Sequence, residues 1–193
     1  MPKIVDHDAR RREIIHAAWR VIARSGFEGA NLRDIAQEAG FTTGVIGYYF
    51  RHKEELLQAA LRLTTEESYE RLASIKRRLR GLAAVRAAAD NIFPTTRSTE
   101  WAVWLCFWGR SIGNDLLTKE HRLRYEEWRD TLAGFFAEAR DLGEILPDSD
   151  PQEEADRLVA LLYGIAVQAI VNDLPPARQR RILDRHLDSV AAK

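Results

Sequence analysis

Cysteine occurs once in the 193 residues, at Cys106. A single cysteine excludes an internal disulfide framework and fits a reducing compartment, so a cytoplasmic protein is expected. Net charge is also missing: 29 basic residues balance 29 acidic ones, and the chain as a whole does not advertise a polyanionic partner. No long hydrophobic run is present. The longest, Leu158 to Val171, is interrupted by Gln168 and falls short of the roughly 20 apolar residues that cross a bilayer. Met1 to Arg12 is charged and lacks an apolar segment, so no signal peptide is expected. The five histidines, His7, His16, His52, His121 and His186, show no metal-ligand spacing, and neither a metal nor a cofactor is implied. Strand-like alternation, internal repeats and low-complexity segments are absent as well. What remains is enough chain for one or two domains with a real core.

The organising stretch is Phe41-Thr-Thr-Gly-Val-Ile-Gly-Tyr-Tyr-Phe50. Before it, Leu32, Ile35, Ala36 and Ala39 fall at i, i+3, i+4 and i+7, one face of a short helix. Gly40 is a natural stop, and Thr42 a good N-cap for a second short helix. Helix, tight glycine turn and helix form the arrangement whose second helix enters the DNA major groove. Charge distribution agrees: residues 1–53 hold nine Lys/Arg and six Asp/Glu, hence +3.

Helical signals continue in both directions. Ala9 to Arg24 carries the stripe Ile14, Ile15, Ala18, Val21 and Ile22. Ser25 to Gly29 reads as a turn, and Asn31 caps the next helix. Arg51 opens a long charged helix that Gly81 breaks after about Leu79. A further helix, Leu82 to Phe93, is closed by Pro94. Thr99 or Glu100 starts the most apolar segment, which ends at Gly113-Asn114. Thr118 is the expected cap of a helix running to about Leu142. Asp150-Pro151-Gln152-Glu153 combines an N-cap, a proline at N1 and an acid at N3, opening a helix to about Asp173. Pro175-Pro176 introduces a last helix, Ala177 to about Val190. The reading is an all-α, nine-helix chain with a DNA-binding domain at 1–55, an effector and dimerisation domain at 56–193, and the boundary inside the long fourth helix.

Over residues 10–57 the sequence resembles the TetR-type transcriptional repressors, through Ile14, Ala18, Gly26, Ile35, Ala36, Gly40, Thr42, Gly44, Ile46, Tyr49, Phe50, Lys53 and Leu56. Within that family it is most similar to the choline-responsive BetI-type group. That closer likeness rests on Gly47, where many members carry tyrosine, and on Trp104-Leu-Cys-Phe-Trp108. His52 departs from the Ser, Asn or Asp that often caps the fourth helix.

The resemblance places Thr42, Tyr49 and Lys53 at phosphate-contacting positions and Thr43, Gly44, Val45 and Tyr48 at positions facing base edges. Their chemistry agrees: a hydroxyl at a helix start, a phenol and a point cation suit phosphates, while Val45 and the Tyr48 ring suit a thymine methyl. Gly44 and Gly47 let the backbone approach the groove. Arg33, on the preceding helix, can fork onto guanine O6 and N7, worth roughly 1–3 kcal/mol of discrimination. Arg10, Arg11 and Arg12 read either as a basic arm or as a solvated helix start.

Trp101, Trp104 and Trp108 share one helix face. With Tyr125, Trp128 and Tyr163 they are candidate walls of a cavity for a quaternary or other amine, held by cation–π attraction of about 0.5–2 kcal/mol per ring. The other reading of the same stripe is hydrophobic core. The expected assembly is a homodimer on a palindromic double-stranded operator with half-sites about 34–36 Å apart or a multiple, released by a small-molecule effector. The last two helices are expected to pair with their symmetry mates, and Leu158, Leu161, Leu162, Ile165, Ile182 and Leu183 are divided between core and dimer interface. Two rivals stand beside this: an architectural DNA-binding protein without effector, and a hydrolase using Ser111 in Gly109-Arg-Ser-Ile-Gly113, a pattern that needs a strand before the serine.

Overall fold

The computed structural model describes residues 6–192, without the side chains of residues 57, 94–97, 116 and 120. Among the described residues lie nine α-helices: α1 His7–Gly29, α2 Leu32–Ala39, α3 Thr43–Tyr49, α4 Lys53–Arg78, α5 Gly81–Asn91, α6 Pro94–Ser111, α7 Asp115–Asp141, α8 Pro151–Val171 and α9 Pro176–Val190. An isolated antiparallel bridge joins Ile145 and Ala191. The helices gather into two compact units. The first comprises the residues up to Glu67 with Thr99–Gly109, the second Ser68–Ser98 with the chain from Arg110 onward. The chain passes from one unit to the other once inside α4 and twice inside α6, with no linker.

The first unit begins with α1, whose N-cap Asp6 accepts the backbone N–H groups of Asp8 and Ala9 at 3.1 and 2.9 Å. The stripe Ile14, Ile15, Ala18, Val21 and Ile22 is buried as its spacing requires. The turn read at Ser25 to Gly29 is a kink within α1. Gly26, at φ 69° and ψ 171°, redirects the helix, and Phe27 beyond it returns to the core. Trp19 packs inside as well, its indole N–H donating to the Ala60 carbonyl at 3.3 Å.

Two helix starts differ from the sequence expectation. Pro94 is the first residue of α6 rather than only the stop after α5; a missing N–H costs nothing at N1, so proline serves both positions. The next long helix is capped by Asn114, not Thr118: the Asn114 side chain accepts the Leu117 N–H at 3.2 Å. The Thr118 hydroxyl, inside that helix, instead donates to the Ser111 carbonyl at 2.8 Å. Asp150 and Pro151 open α8 as read, with Asp150 accepting the Gln152 N–H at 2.8 Å.

The second unit packs α5, α7, α8 and α9 around Val85, Phe93, Leu132, Phe136, Leu158 and Leu187. The start of α5 has no cap from its own preceding residue, Arg80. Two acids from a distant stretch replace it. Glu144 accepts the Leu82 N–H at 2.6 Å and Glu138 the Gly81 N–H at 3.1 Å. Gly81 sits at φ +51°, and a Cβ there would lie 2.1 Å from the Glu144 carboxylate. Gly81→Ala should therefore cost about 1.5–3 kcal/mol, left-handed strain plus a displaced cap. Gly143→Ala is the control. Its φ is +71° with open space around, so it isolates the strain. Equal urea midpoints for the two variants would show that the Glu144 cap does not matter.

Candidate nucleic-acid interface and effector region

The geometry of α2 and α3 follows from local chemistry. Asn31 caps α2 by accepting the Asp34 N–H at 2.9 Å. Gly40, at φ 71°, ends it, with the Phe41 N–H reaching Ala36 O at 2.8 Å and the Gly40 N–H reaching Gln37 O at 3.2 Å. That pair of bonds is the Schellman stop, which requires a left-handed residue at this point. Thr42 then accepts the Val45 N–H at 3.4 Å and starts α3. Ile46 and Phe50 are fully buried and fix the helix to the unit.

The opposite face is open. Thr42, Thr43, Gly44 and Gly47 are exposed, Val45 and Tyr49 are half-buried, and Tyr48 is 74% exposed, extraordinary for a large ring. A Cβ on Gly47 would meet nothing within 4 Å, and one on Gly44 only the Thr42 hydroxyl at 3.8 Å. Internal packing thus places no demand for glycine at either position. Arg33 is exposed on α2 and carries no ion pair among the described residues. Arg10 and Arg11 are not a loose arm. They belong to α1, with their guanidinium groups 5.3 Å from the Phe41 ring and 5.0 Å from the Phe50 ring.

Two side chains expected at phosphates are already engaged. The Lys53 ammonium donates to the carbonyls of Phe27, Ala30 and Glu28 at 2.8, 3.1 and 3.3 Å and lies 4.4 Å from the Phe27 ring. It closes the C-terminal end of α1, where orphan carbonyls and the negative end of the helix dipole meet. The Tyr49 hydroxyl is 2.8 Å from His7 Nδ1. Tyr48 stands edge-on to Tyr49, with centroids 5.1 Å apart. His7 had no signal in the sequence, since 42 residues separate it from its partner. Between α1 and α2, Arg20 and Arg24 bind Glu38 at 2.6 and 3.0 Å and hold its carboxyl below the ordinary range, Arg20 first.

The candidate effector residues fall into two groups. Trp101, Trp104 and Trp108 belong to the first unit. Trp101 is only 5% exposed and is a core residue together with Val103 and Phe107; Trp104 and Trp108 are half-buried. Trp101 meets Trp108 edge-to-face at 5.9 Å. Tyr125, Trp128 and Tyr163 pack on the margin of the second unit's core. The Tyr125 and Tyr163 rings are 6.5 Å apart, and the Tyr125 hydroxyl donates to Asp156 at 3.0 Å. Sequence reasoning missed Tyr69, whose hydroxyl donates to Glu127. Burial, and then that bond, push the Tyr69 phenol up to about 12. Burial also raises Tyr163 and holds the His121 imidazole below its usual value.

Of the candidate dimer residues, Leu158, Leu162, Ile165 and Leu183 are sealed inside the protomer's own core and leave no surface for a symmetry mate. Leu161 and Ile182 are half-buried at its margin. Ser111 ends α6, and the segment leading to it is helix and not strand, so it lacks the strand-turn-helix elbow a serine nucleophile needs. Among the described residues no cluster of three or more His, Cys, Asp or Glu could hold a metal, and no helix is long and apolar enough to cross a membrane.

A buried Ile46–Phe50 anchor beneath an exposed Thr-Thr-Gly face, set by a Schellman stop, defines a helix-turn-helix DNA-binding regulator. Known proteins agree. Residues 14–60 match the family profile of bacterial regulatory proteins of the tetR type, and residues 81–192 match that of the BetI-type transcriptional repressor C-terminal part. The chain belongs to the TetR family of transcriptional regulators, with a C-terminal part of the BetI type. It is 32% identical over 199 residues to the regulator PksA of Bacillus subtilis, covering 100% of this chain and 95% of that protein. To BetI of Escherichia coli K12 it is 32% identical over 195 residues, covering 96% and 95%. Among solved structures, a transcriptional regulator from Saccharomonospora viridis in complex with choline superposes with a TM-score of 0.85 at 26% identity, covering 97% of this chain and 100% of that one.

Proposed function

We propose that the chain is a cytoplasmic homodimeric repressor without enzymatic activity, whose residues 1–55 hold a palindromic operator and whose residues 56–193 receive a small molecule that releases it. The exposed α3 face carries this reading: Thr43, Gly44, Val45, Gly47 and Tyr48 meet base edges, while Thr42 and Tyr49 meet phosphates. Half-buried Leu161 and Ile182 on α8 and α9 contribute to the dimer contact. An amine is the first effector class to test. Tyr125, Trp128 and Tyr163 are aromatic, and a relative of similar length was solved with choline. Release requires that the ligand bind the DNA-incompetent state more tightly, and movement of α4 is the proposed link.

Fluorescence anisotropy on DNA from upstream of the protein's own gene tests this, with choline, betaine aldehyde and a polyamine added in turn. Salt-dependent binding abolished by one amine is the expected result. Tight binding that no small molecule reverses would favour an architectural role. For Arg33→Ala the expectation is a relaxed preference at one base pair per half-site, about 1–3 kcal/mol. A uniform loss across operator variants would refute base reading by Arg33.

A further inference from the structure

His7 is the first residue of α1, yet its ring stands against α3, with centroids 6.0 Å from Tyr48 and 5.9 Å from Tyr49. The bond between His7 Nδ1 and the Tyr49 hydroxyl, 2.8 Å long, ties the entry of the chain to the last turn of the exposed helix. Among the described residues, the titratable and charged groups beside it on α3 are Tyr48 and Tyr49, and its own first turns carry Asp6, Asp8, Arg10 and Arg11; α3 has no other such group. Asp6 is occupied as the α1 cap, and Arg10 and Arg11 lie over Phe41 and Phe50.

The 2.8 Å contact accommodates two proton arrangements. If Nδ1 carries only its lone pair, Tyr49 donates its hydroxyl proton to it, and the phenol oxygen presents only lone pairs outward. A phosphate oxygen accepts and cannot donate, so that arrangement sets acceptor against acceptor. If Nδ1 carries a proton it donates to the phenol oxygen, and the hydroxyl proton is free to point at a phosphate. The imidazolium always has this second arrangement and adds a positive charge beside the polyanion; the neutral ring has it in one of its two tautomers.

We infer that His7 is a positioning residue for operator binding, which orients the Tyr49 hydroxyl toward a phosphate and takes up a proton as DNA binds. The inference rests on the proposed Tyr49–phosphate contact. DNA binding by the dimer is then linked to as many as two protons. Affinity is strongest at low pH and falls as the histidines lose their charge.

The test is operator anisotropy at fixed salt between about pH 6 and pH 8, the range in which histidine changes charge. Wild-type protein is compared with His7→Asn and Tyr49→Phe, and a melt verifies each fold. Asparagine offers a permanent N–H donor at the place of Nδ1–H but cannot titrate. Wild-type affinity should fall roughly tenfold or more across the range, whereas His7→Asn should be flat. Tyr49→Phe should bind more weakly throughout. If Tyr49→Phe weakens binding while His7→Asn keeps the wild-type pH slope, the phosphate contact stands and the role of His7 is overturned. If Tyr49→Phe binds as wild type at every pH, the phosphate reading itself fails.

Discussion

Lys53→Ala should destabilise the first unit by about 2–4 kcal/mol, before any effect on DNA is counted. The ammonium bonds three carbonyls, of Phe27, Ala30 and Glu28. Phe27 and Ala30 are buried residues, 4% and 1% exposed, so water replaces the lost donor poorly at those two. An unsatisfied buried acceptor costs about 1–3 kcal/mol, and losing the cation over the Phe27 ring adds about 0.5–1 kcal/mol. A lysine read from sequence as a phosphate contact would, when removed, lower the salt slope of operator binding by about one. Here each ammonium proton already has a carbonyl, and the slope should fall by less than that. Urea unfolding and a salt titration of the same variant separate the two roles. An unchanged urea midpoint with a slope lower by a full unit would place the ammonium on DNA rather than on α1. Lys53→Met, which keeps the aliphatic stem, should recover part of the packing and none of the capping.

The second large effect concerns Trp101. With 5% of its surface exposed, beside Val103 at 0% and Phe107 at 1%, Trp101→Ala should cost about 3–5 kcal/mol, the range for deleting a buried aromatic. The proposed response to an amine should be unchanged in the fraction that remains folded. Trp104→Ala and Trp108→Ala remove half-buried rings and should cost less, so an effect of either on amine affinity would be read against an intact fold. A Trp101→Ala protein that melts like wild type but no longer responds to amine would reverse this, making Trp101 a cavity wall.

Legibility in the sequence tracked the range of the interaction. The α2 stop at Gly40, the Thr42 cap and the Asp150-Pro151 start rest on bonds spanning two to five residues, and they were readable. Pro94 and Thr118 misled because the same residue type suits more than one place: proline follows one helix and opens the next equally well, and a threonine hydroxyl caps or back-bonds. The apolar spacing of α8 and α9 identified buried leucines. Periodicity marks a face, however, not which chain covers it, so Leu158, Leu162, Ile165 and Leu183 went to the protomer's own interior. The His7–Tyr49 and Tyr69–Glu127 bonds join residues 42 and 58 positions apart, and nothing local announces them. The tryptophan stripe was visible as a pattern, and only burial separated Trp101 from its neighbours.

The two exposed glycines of α3 leave that helix weak on its own. A glycine weakens a helix interior by about 1 kcal/mol, and a seven-residue helix holding two of them has little intrinsic tendency to form. Its shape is on loan from Ile46 and Phe50. Since a Cβ at either position is not crowded, alanine can be installed at Gly44 or Gly47 while the scaffold stays intact or gains stability. Such changes would alter only what the helix can approach. On the proposed reading of α3 as the DNA-facing helix, operator preference is separable from foldability at these two sites.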